Sequence, residues 1–351
     1  MRWFSLVTTA ALFALAPAAF GSRAAAATPA ASGEIQRKLA EAARVLASRP
    51  RLKGKSQAER ERHVEFVVGN MLFVLGHEAG HALIRELDIP VTGREEDAAD
   101  IISVLMALMC EEGFGDRVLA NAALGWFLSD MSDRRDRRER DRQGRRDASA
   151  DAKYYDEHGI DLQRAYNIVC LMVGSDPEKF AGLADAAKLP RERQASCKTD
   201  YLSAQRSWHQ VLQPHLRKPD QAKTPINIVY GPGNGTYDSH AGVSQQMRLL
   251  ETMAGVLSDR FAWPESITFE MKTCGDPNAR FEFRTKKVTI CYELADEFSD
   301  LYYRYGHLFS LDAKASPGAP GPANIAASAN ARSAGAKAHK RKAFRNRHTA
   351  R

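Results

Sequence analysis

The chain has 351 residues and is 44% hydrophobic. This is enough apolar material for one large globular domain or two modest ones, and it excludes a fibrous or wholly disordered chain. The net charge of +7 comes from the C-terminal end: nine lysines and arginines and no acidic residue follow Asp312, and without them the charge is −2. The basic balance therefore belongs to a tail and does not indicate a domain-wide surface for nucleic acid.

The N-terminus has the features of an export signal, which we assign to residues 1–27. Arg2 gives the positive start, an apolar run follows from Phe4 to Leu15, and small residues come next. The run is shorter than the roughly 20 residues of a typical transmembrane helix, and an uncleaved anchor is the alternative. We therefore expect an exported bacterial protein, either periplasmic or secreted.

Most of the chain has the apolar spacing of helices. Residues 28–60 are interpreted as a linker followed by a helix at 34–48, and residues 61–215 as a helical region that contains the catalytic site. The expected helices in that region are 61–87, 95–112, 117–131, 161–173, 176–188 and 191–213. The arginine-rich stretch 132–150 has interleaved acids, so it is interpreted as a solvated helix extension or loop rather than an RNA-binding patch.

Residues 224–310 predict a smaller α+β region. We expect a strand at 226–230 and helices at 242–261 and 293–305, while 266–272 and 287–292 alternate like the two strands of a hairpin. From 313 to 351 the composition is rich in small residues and then basic, which is typical of a disordered tail. The fold class is therefore α+β and mainly α-helical, with a small C-terminal hairpin and helix portion.

Five cysteines fit an oxidising compartment, in which four can pair. Pairing between sequence neighbours, Cys170 with Cys197 and Cys274 with Cys291, is the simplest of three connectivities. Cys110 ends an apolar run and is expected to be a buried free thiol. The spacings are too wide for a C-x-x-C zinc site.

The segment His77-Glu78-Ala79-Gly80-His81 is an H-E-x-x-H pattern inside the helix expected at 61–87. Residues four apart lie on one face of a helix, so both imidazoles can reach one Zn²⁺ ion. Glu78 lies beside them, where it can take a proton from zinc-bound water. The pattern also occurs by chance, but burial of two histidines and a glutamate without a partner would be costly.

A third ligand is expected after Pro90 and Gly93, because these residues turn the chain so that a second helix can return antiparallel to the first. Glu96 and Asp100 share a face of that helix: Glu96 can bind the metal, and Asp100 can accept a hydrogen bond from a ligand histidine. Glu95 is the alternative ligand. Glu96 is favoured because only it has an acid four residues on. A structural alternative is an acidic helix N-terminus that complements the helix dipole.

The spacing of these five residues, two histidines and three acids, resembles the gluzincin, or thermolysin-like, pattern of zinc peptidases. Over about residues 60–306 the chain more closely resembles a bacterial metallopeptidase family that is filed as a domain of unknown function. The segments that carry the second resemblance are 93–100, 156–158, 162–168, 274–279 and 291–293.

The resemblance implies a zincin-like helical core, a Zn²⁺ cofactor and a peptide or protein substrate. Gluzincins commonly supply a histidine or tyrosine that stabilises the transition state, and His158 is the candidate for that catalytic role. A surface histidine near a helix N-terminus is the alternative. The sequence shows no clear strand pair just before residue 61 to align a peptide, so the hairpin between Cys274 and Cys291 is the candidate for that role.

These features favour an exported zinc metalloendopeptidase in which Glu78 activates zinc-bound water for attack on a peptide bond. The alternative is an exported protein that binds zinc for stability and has no activity. Its basic tail would then touch an anionic envelope. Nucleic-acid binding is disfavoured because of the export signal.

Overall fold

The computed structural model describes residues 29–110, 113–144 and 156–308. The predicted signal segment 1–27 and the predicted tail 313–351 lie outside these ranges. The helices are α1 (Pro29–Val45), α2 (Gln57–Glu86), α3 (Glu95–Leu108), α4 (Phe114–Arg142), α5 (Asp161–Ser175), α6 (Ala181–Ala186), α7 (Arg191–Leu212), α8 (Asp238–Gln246), α9 (Leu249–Arg260) and α10 (Tyr292–Tyr305). The strands are β1 (Asn227–Tyr230), β2 (Thr268–Lys272), β3 (Ala279–Glu282) and β4 (Lys287–Cys291). Short 3₁₀ turns are Leu46–Ser48, Gln213–His215 and Gly306–Leu308. The predicted class, α+β and mainly α-helical, is confirmed.

The central helix is α2, which packs against α1, α3, α4, α9, α10 and the sheet. A capping box fixes its start: the hydroxyl of Ser56 accepts from the N–H of Glu59, and the Glu59 carboxylate accepts from the N–H of Ser56. By length and composition α2 could cross a membrane, but 89% of its most apolar stretch is buried inside the protein. A helix that is apolar on most sides and buried in this way is a core helix.

Two helices extend more than one turn beyond a predicted end. α1 begins at Pro29 and not at Glu34, so the expected linker at its start is helical. Proline is favoured in the first turn of a helix because its missing N–H would have no partner there. α4 continues to Arg142 through the first part of the arginine-rich stretch, with an Arg134–Asp130 ion pair of 2.7 Å along its surface. The solvated helix extension is therefore correct as far as residue 142.

Two other predicted helices are divided or shortened. The single helix expected at 242–261 is α8 followed by α9, because Arg248 between them has a left-handed backbone with φ of 54°. The helix start after this break gains a side-chain partner, since the N–H of Leu250 donates to the hydroxyl of Tyr230 at 3.1 Å. The helix expected at 176–188 is reduced to α6, which a turn precedes.

The sheet has the strand order β1-β2-β4-β3. β1, β2 and β4 are parallel, with Thr268 between Asn227 and Lys287, and β3 is antiparallel to β4. The predicted hairpin of 266–272 with 287–292 is therefore wrong: both are strands, but they pair in parallel, and the hairpin partner of β4 is β3. Side chains alternate with the same period in parallel and antiparallel strands, so alternation could not separate the two pairings.

The two disulfide bonds match the predicted neighbour pairing. Cys170–Cys197 joins α5 to α7, with Cα atoms 5.0 Å apart. Cys274–Cys291 joins the segment before β3 to the end of β4, with Cα atoms 5.5 Å apart. Cys110 forms no disulfide bond in the described part of the chain, as predicted, but it is only partly buried because it lies in the turn after α3 and not within the helix.

α5 and α7 approach closely at Gly174, where a Cβ would lie 2.2 Å from the carbonyl oxygen of Cys197 and 2.6 Å from Cβ of Tyr201. We expect Gly174→Ala to lower the free energy of unfolding by about 1–3 kcal/mol, because the α7 backbone has to move. Denaturant unfolding of the oxidised protein measures this. Gly255→Ala in α9 is the control. Nothing lies within 4 Å of the Cβ it adds, so it should be neutral or stabilise by up to about 1 kcal/mol. Equal unfolding midpoints for the two variants would contradict the prediction.

Candidate metal centre

α2 and α3 pack antiparallel and close together, as predicted from the turn at Pro90. His81 on α2 contacts Glu95 in the first turn of α3. Two turns further along α3, the hydroxyl of Ser103 donates to the carbonyl of Phe73, which lies nearer the start of α2. A Cβ on Gly80 would lie 3.0 Å from the α3 backbone. The glycine of the H-E-x-x-H pattern therefore allows the acids of α3 to reach the histidines of α2.

Three nitrogen and oxygen atoms form a small triangle between the two helices. His77 Nε2 lies 3.2 Å from His81 Nε2 and 3.0 Å from Glu96 Oε2, and the third edge, from His81 Nε2 to Glu96 Oε2, is 3.4 Å. Ligands of a tetrahedral zinc ion lie about 2.0–2.1 Å from the metal and so about 3.3–3.4 Å from one another. The three atoms therefore fit one face of a tetrahedral site, and a fourth position is left for a non-protein ligand.

His77 is oriented by a chain of buried partners. Its Nδ1 lies 2.8 Å from Asp100 Oδ1, and Asp100 accepts two hydrogen bonds from Arg164, at 2.8 and 2.7 Å. The Arg164 guanidinium also stacks on the Trp126 ring at 3.8 Å. Burial alone would raise the pKa of Asp100, but the hydrogen bonds from His77 and Arg164 hold it below its usual value. The ionised Asp100 keeps the proton of His77 on Nδ1 and leaves Nε2 facing the triangle.

The structure separates Glu95 from Glu96. Glu95 accepts from His81 Nδ1 at 2.9 Å and from Arg85 at 2.7 Å, so it lies on the outer side of the histidine. Glu96 points between the two imidazoles. Burial would lower the pKa of His81, but hydrogen bonds with Glu96 and Glu95 raise it to about 9. A divalent cation would replace the protons that these groups share.

His158 joins the same group from the loop before α5. Its Nε2 lies 3.0 Å from Glu96 Oε2, and its ring stacks on that of His77 with centroids 6.1 Å apart. Its own N–H and Nδ1 both bond to Asp156, at 2.8 and 3.1 Å. The side chain is 49% exposed. His158 is therefore held at the rim of the centre and is not a distant surface histidine.

Glu78 lies beside the triangle and is only 7% exposed. Burial raises the pKa of its carboxyl group, and the neighbouring His77 and His81 act in the opposite direction. Strand β3 packs on α2, and the backbone N–H of Phe281 in β3 lies near this carboxylate and acts to lower its pKa. Strand β3 therefore passes close to the acid at the centre of the H-E-x-x-H pattern.

The outer edge of β3 faces the centre. Cys291 donates to the carbonyl of Asn278 at 3.0 Å, so the backbone groups of Asn278 and of every second residue after it face β4. The backbone groups of Ala279 and Phe281 then face away from β4, and the N–H of Phe281 lies on the side of Glu78. This edge belongs to the hairpin between the two C-terminal cysteines, which is the segment predicted to align a peptide.

The sequence did not assign Arg164, Trp126 or Phe281 to the site. Arg164 is 8% exposed on an otherwise apolar face of α5, and an arginine on such a face is the one sequence signal that could have indicated a buried acidic partner. Trp126 and the backbone of Phe281 have no recognisable spacing relative to the histidines.

The arrangement could hold a divalent metal, and the comparisons with known proteins agree with a metal-dependent protein. A family model with the description "Putative metallopeptidase" (DUF4344) matches residues 42–212 and 232–315. The chain belongs to this metallopeptidase family. No curated protein and no solved structure matches the chain.

Asp100→Asn should weaken Zn²⁺ binding tenfold to a hundredfold, because the neutral amide no longer fixes His77. Competition with a chromophoric chelator measures the affinity, and circular dichroism checks the fold. If loss of the partner of Arg164 unfolds this variant, the double variant with Arg164→Met removes the unpaired charge. We expect that double variant to show the same loss of Zn²⁺ affinity. Asp97→Asn is the control, because Asp97 pairs with Arg94 at the surface and should not affect the affinity. Equal affinities for both variants would show that Asp100 does not orient a ligand.

Proposed function

We propose that the protein is a zinc-dependent peptidase in which His77, His81 and Glu96 hold the metal and Glu78 is the general base. The observation that carries this proposal is the triangle of donor atoms with edges of 3.0–3.4 Å, with a buried carboxylate beside it. Two imidazoles and one carboxylate suit zinc, and three protein ligands with an open position are typical of catalytic and not structural sites.

A zinc ion held there would act as a Lewis acid that polarises the scissile carbonyl and makes a water molecule more acidic. Glu78 then has a defined role, in which its carboxylate takes the proton of the attacking water and returns it to the leaving amine. Its burial keeps bulk water from competing for that proton, and the nearby N–H of Phe281 favours the ionised form of the carboxylate. His77 is held in the required tautomer by Asp100 and Arg164.

A peptide substrate is supported by the edge of β3. An extended peptide can add to a free strand edge through main-chain hydrogen bonds, and the outward groups of Ala279 and Phe281 offer such bonds. The reacting carbonyl would then lie next to Glu78, since Phe281 is part of this edge and its N–H lies near the Glu78 carboxylate. This is the observation that favours a peptide over another hydrolysable substrate.

His158 could take one of two roles. An active peptidase and an inactive zinc-binding protein would differ in which role it takes. As a half-exposed donor it can hydrogen-bond the oxyanion that develops on the substrate. As a fourth ligand it would close a tetrahedral site, because its Nε2 lies 3.0 Å from Glu96 Oε2. We assign it the first role, since the triangle of His77, His81 and Glu96 is complete without it. The second role, in which His158 closes the site, corresponds to the alternative function: a protein that binds zinc for stability and has no activity.

Export is part of the proposal. Two disulfide bonds in the described part of the chain are expected in an oxidising compartment. Residues 1–27 supply the export signal in the sequence. The enzyme would therefore act in the periplasm or outside the cell, where the basic residues after Asp312 would contact the anionic envelope.

Glu78→Gln should retain one zinc per chain and lose at least a hundredfold in kcat, because glutamine cannot accept the proton. The measurements are metal content by elemental analysis and hydrolysis of a fluorogenic peptide library. Glu59→Gln is a matched control on the same helix, 19 residues away from the site, and should keep full activity.

Two results would overturn the assignment. If Glu78→Gln cleaved peptides at the wild-type rate, Glu78 would not be the base. If the wild-type protein bound zinc but cleaved no member of the library, and lost zinc affinity on His158→Gln, the closed site of a binding protein would be correct.

Phe281→Pro should lower kcat/KM for peptides by tenfold or more, because it removes the N–H that faces Glu78 and obstructs the edge of β3. Phe281→Ala is the control: it removes the ring but keeps the N–H, so most of the peptide affinity should remain. Steady-state kinetics with one peptide measures both. A larger loss for Phe281→Ala than for Phe281→Pro would show that the side chain, and not the strand edge, binds the substrate.

A further inference from the structure

A cavity lies along the N-terminal half of α2, enclosed also by the turn after α1, by α8 and by α10. It has a volume of about 300 Å³ and is named here the α8 cavity. Its α2 residues His63 and Val67 precede His77 by 14 and ten residues, which corresponds to about 21 and 15 Å along a helix. The α8 cavity is therefore separate from the metal centre.

One wall of the α8 cavity is a network of ion pairs that neutralise one another. Arg51 bonds both oxygens of Asp296 and lies 3.4 Å from Asp300, and His240 Nε2 lies 3.2 Å from Asp296. Asp300 is also paired with Arg304. The charges of Arg51 and Arg304 balance those of Asp296 and Asp300, so this wall is polar and its two carboxylates are neutralised.

A second polar pair on this side is buried and uncharged. His63 Nε2 lies 2.8 Å from the hydroxyl of Ser299, and the two residues are 5% and 7% exposed. Burial, with the nearby charge of Arg51, lowers the pKa of His63 to about 4. The imidazole is therefore neutral at physiological pH, and the pair adds no charge to the cavity.

The other walls are apolar. Leu52, Val64 and Val67 line the side of α2, and Leu46 and Val243 line the ends near α1 and α8. Well-packed interiors leave few voids larger than a water molecule, and small-molecule sites are about 300–1,000 Å³ and mostly apolar, with a few placed polar groups. The α8 cavity has this size and this division of walls.

One exposed arginine lines the cavity. Arg49 lines it and is exposed, and within residues 29–110, 113–144 and 156–308 no carboxylate forms an ion pair with it. The opening therefore offers one cation that a ligand head group can pair with, above an apolar interior that accepts a chain.

We propose that the α8 cavity binds a small amphiphilic monocarboxylate, with its carboxylate at Arg49 and its alkyl chain against Leu52, Val64 and Val67. A single unpaired cation matches a single negative charge, and the neutral polar wall offers hydrogen bonds without repelling the head group. The volume limits the ligand to a short or medium chain.

The test measures binding of decanoate to the full chain by isothermal titration calorimetry, with decyltrimethylammonium as the cationic analogue. We expect saturable binding of one decanoate per chain and at least tenfold weaker binding of the ammonium compound. Arg49→Glu should weaken decanoate binding tenfold or more. Arg44→Glu, on the exposed face of α1 and outside the cavity, is the matched control and should change it less than twofold.

Ser239→Trp places a large side chain in the cavity from α8 and should abolish decanoate binding, with circular dichroism used to check the fold. All titrations are repeated with a chelator and with added Zn²⁺, because a carboxylate could also bind at the metal centre. Undiminished binding to Ser239→Trp, binding that requires zinc, equal binding of the ammonium compound, or no saturable binding would each overturn the proposal. Arg49→Glu does not alter the core and keeps the test valid if Ser239→Trp does not fold.

Discussion

The close antiparallel contact of α2 with α3 is the constraint on which the metal centre depends. Without a side chain at Gly80 the two backbones approach until acids on the first turns of α3 reach imidazoles on α2. Each imidazole then has an inner nitrogen toward Glu96 and an outer nitrogen toward its own acid, Asp100 or Glu95. Burying such groups would be unfavourable separately, so their pairing is what allows a polar centre inside the core.

The second half of the site arrives from the other end of the chain. β3 lies over Glu78 because the segment before it is anchored twice: by the Cys274–Cys291 disulfide, and by Glu293 of α10, which accepts from the N–H groups of Cys274 and Gly275 at 2.9 and 2.7 Å. α10 also packs on α2, the helix that carries Glu78. Contacts of α10 therefore help to position both strand β3 and Glu78. The disulfide thus contributes to the position of the strand as well as to stability.

Local spacing explains which parts could be predicted from the sequence. The histidine pair, the antiparallel return and the positions of β1, β2 and β4 depend on residues a few places apart, and the structure has each of them where the sequence indicates, whereas β3 was not predicted. Which of Glu95 and Glu96 lies between the two imidazoles depends on the rotation of α3 about its axis. The ion pair of Arg85 with Glu95 holds Glu95 on the outer side of His81. Arg164 lies 64 residues from Asp100 in sequence, and nothing in the periodicity of either helix links them. The prediction of strand pairing failed because the choice of a strand's partner is likewise not contained in the local spacing of its residues.

The same helix also explains why one small fold has room for two sites. The apolar faces of α2 are covered by different partners along its length: α3 and β3 near its C-terminal end, and the turn after α1 with α8 and α10 near its N-terminal end. At each end, histidines of α2 are satisfied by groups from elements distant in sequence: His77 by Asp100, and His63 by Ser299. The pKa values of the two histidines shift in opposite directions. The Asp100 carboxylate raises the pKa of His77 despite its burial, whereas the hydroxyl of Ser299 leaves burial to lower the pKa of His63. One end of α2 is thus suited to exchange protons for a metal, and the other to remain neutral beside an apolar cavity.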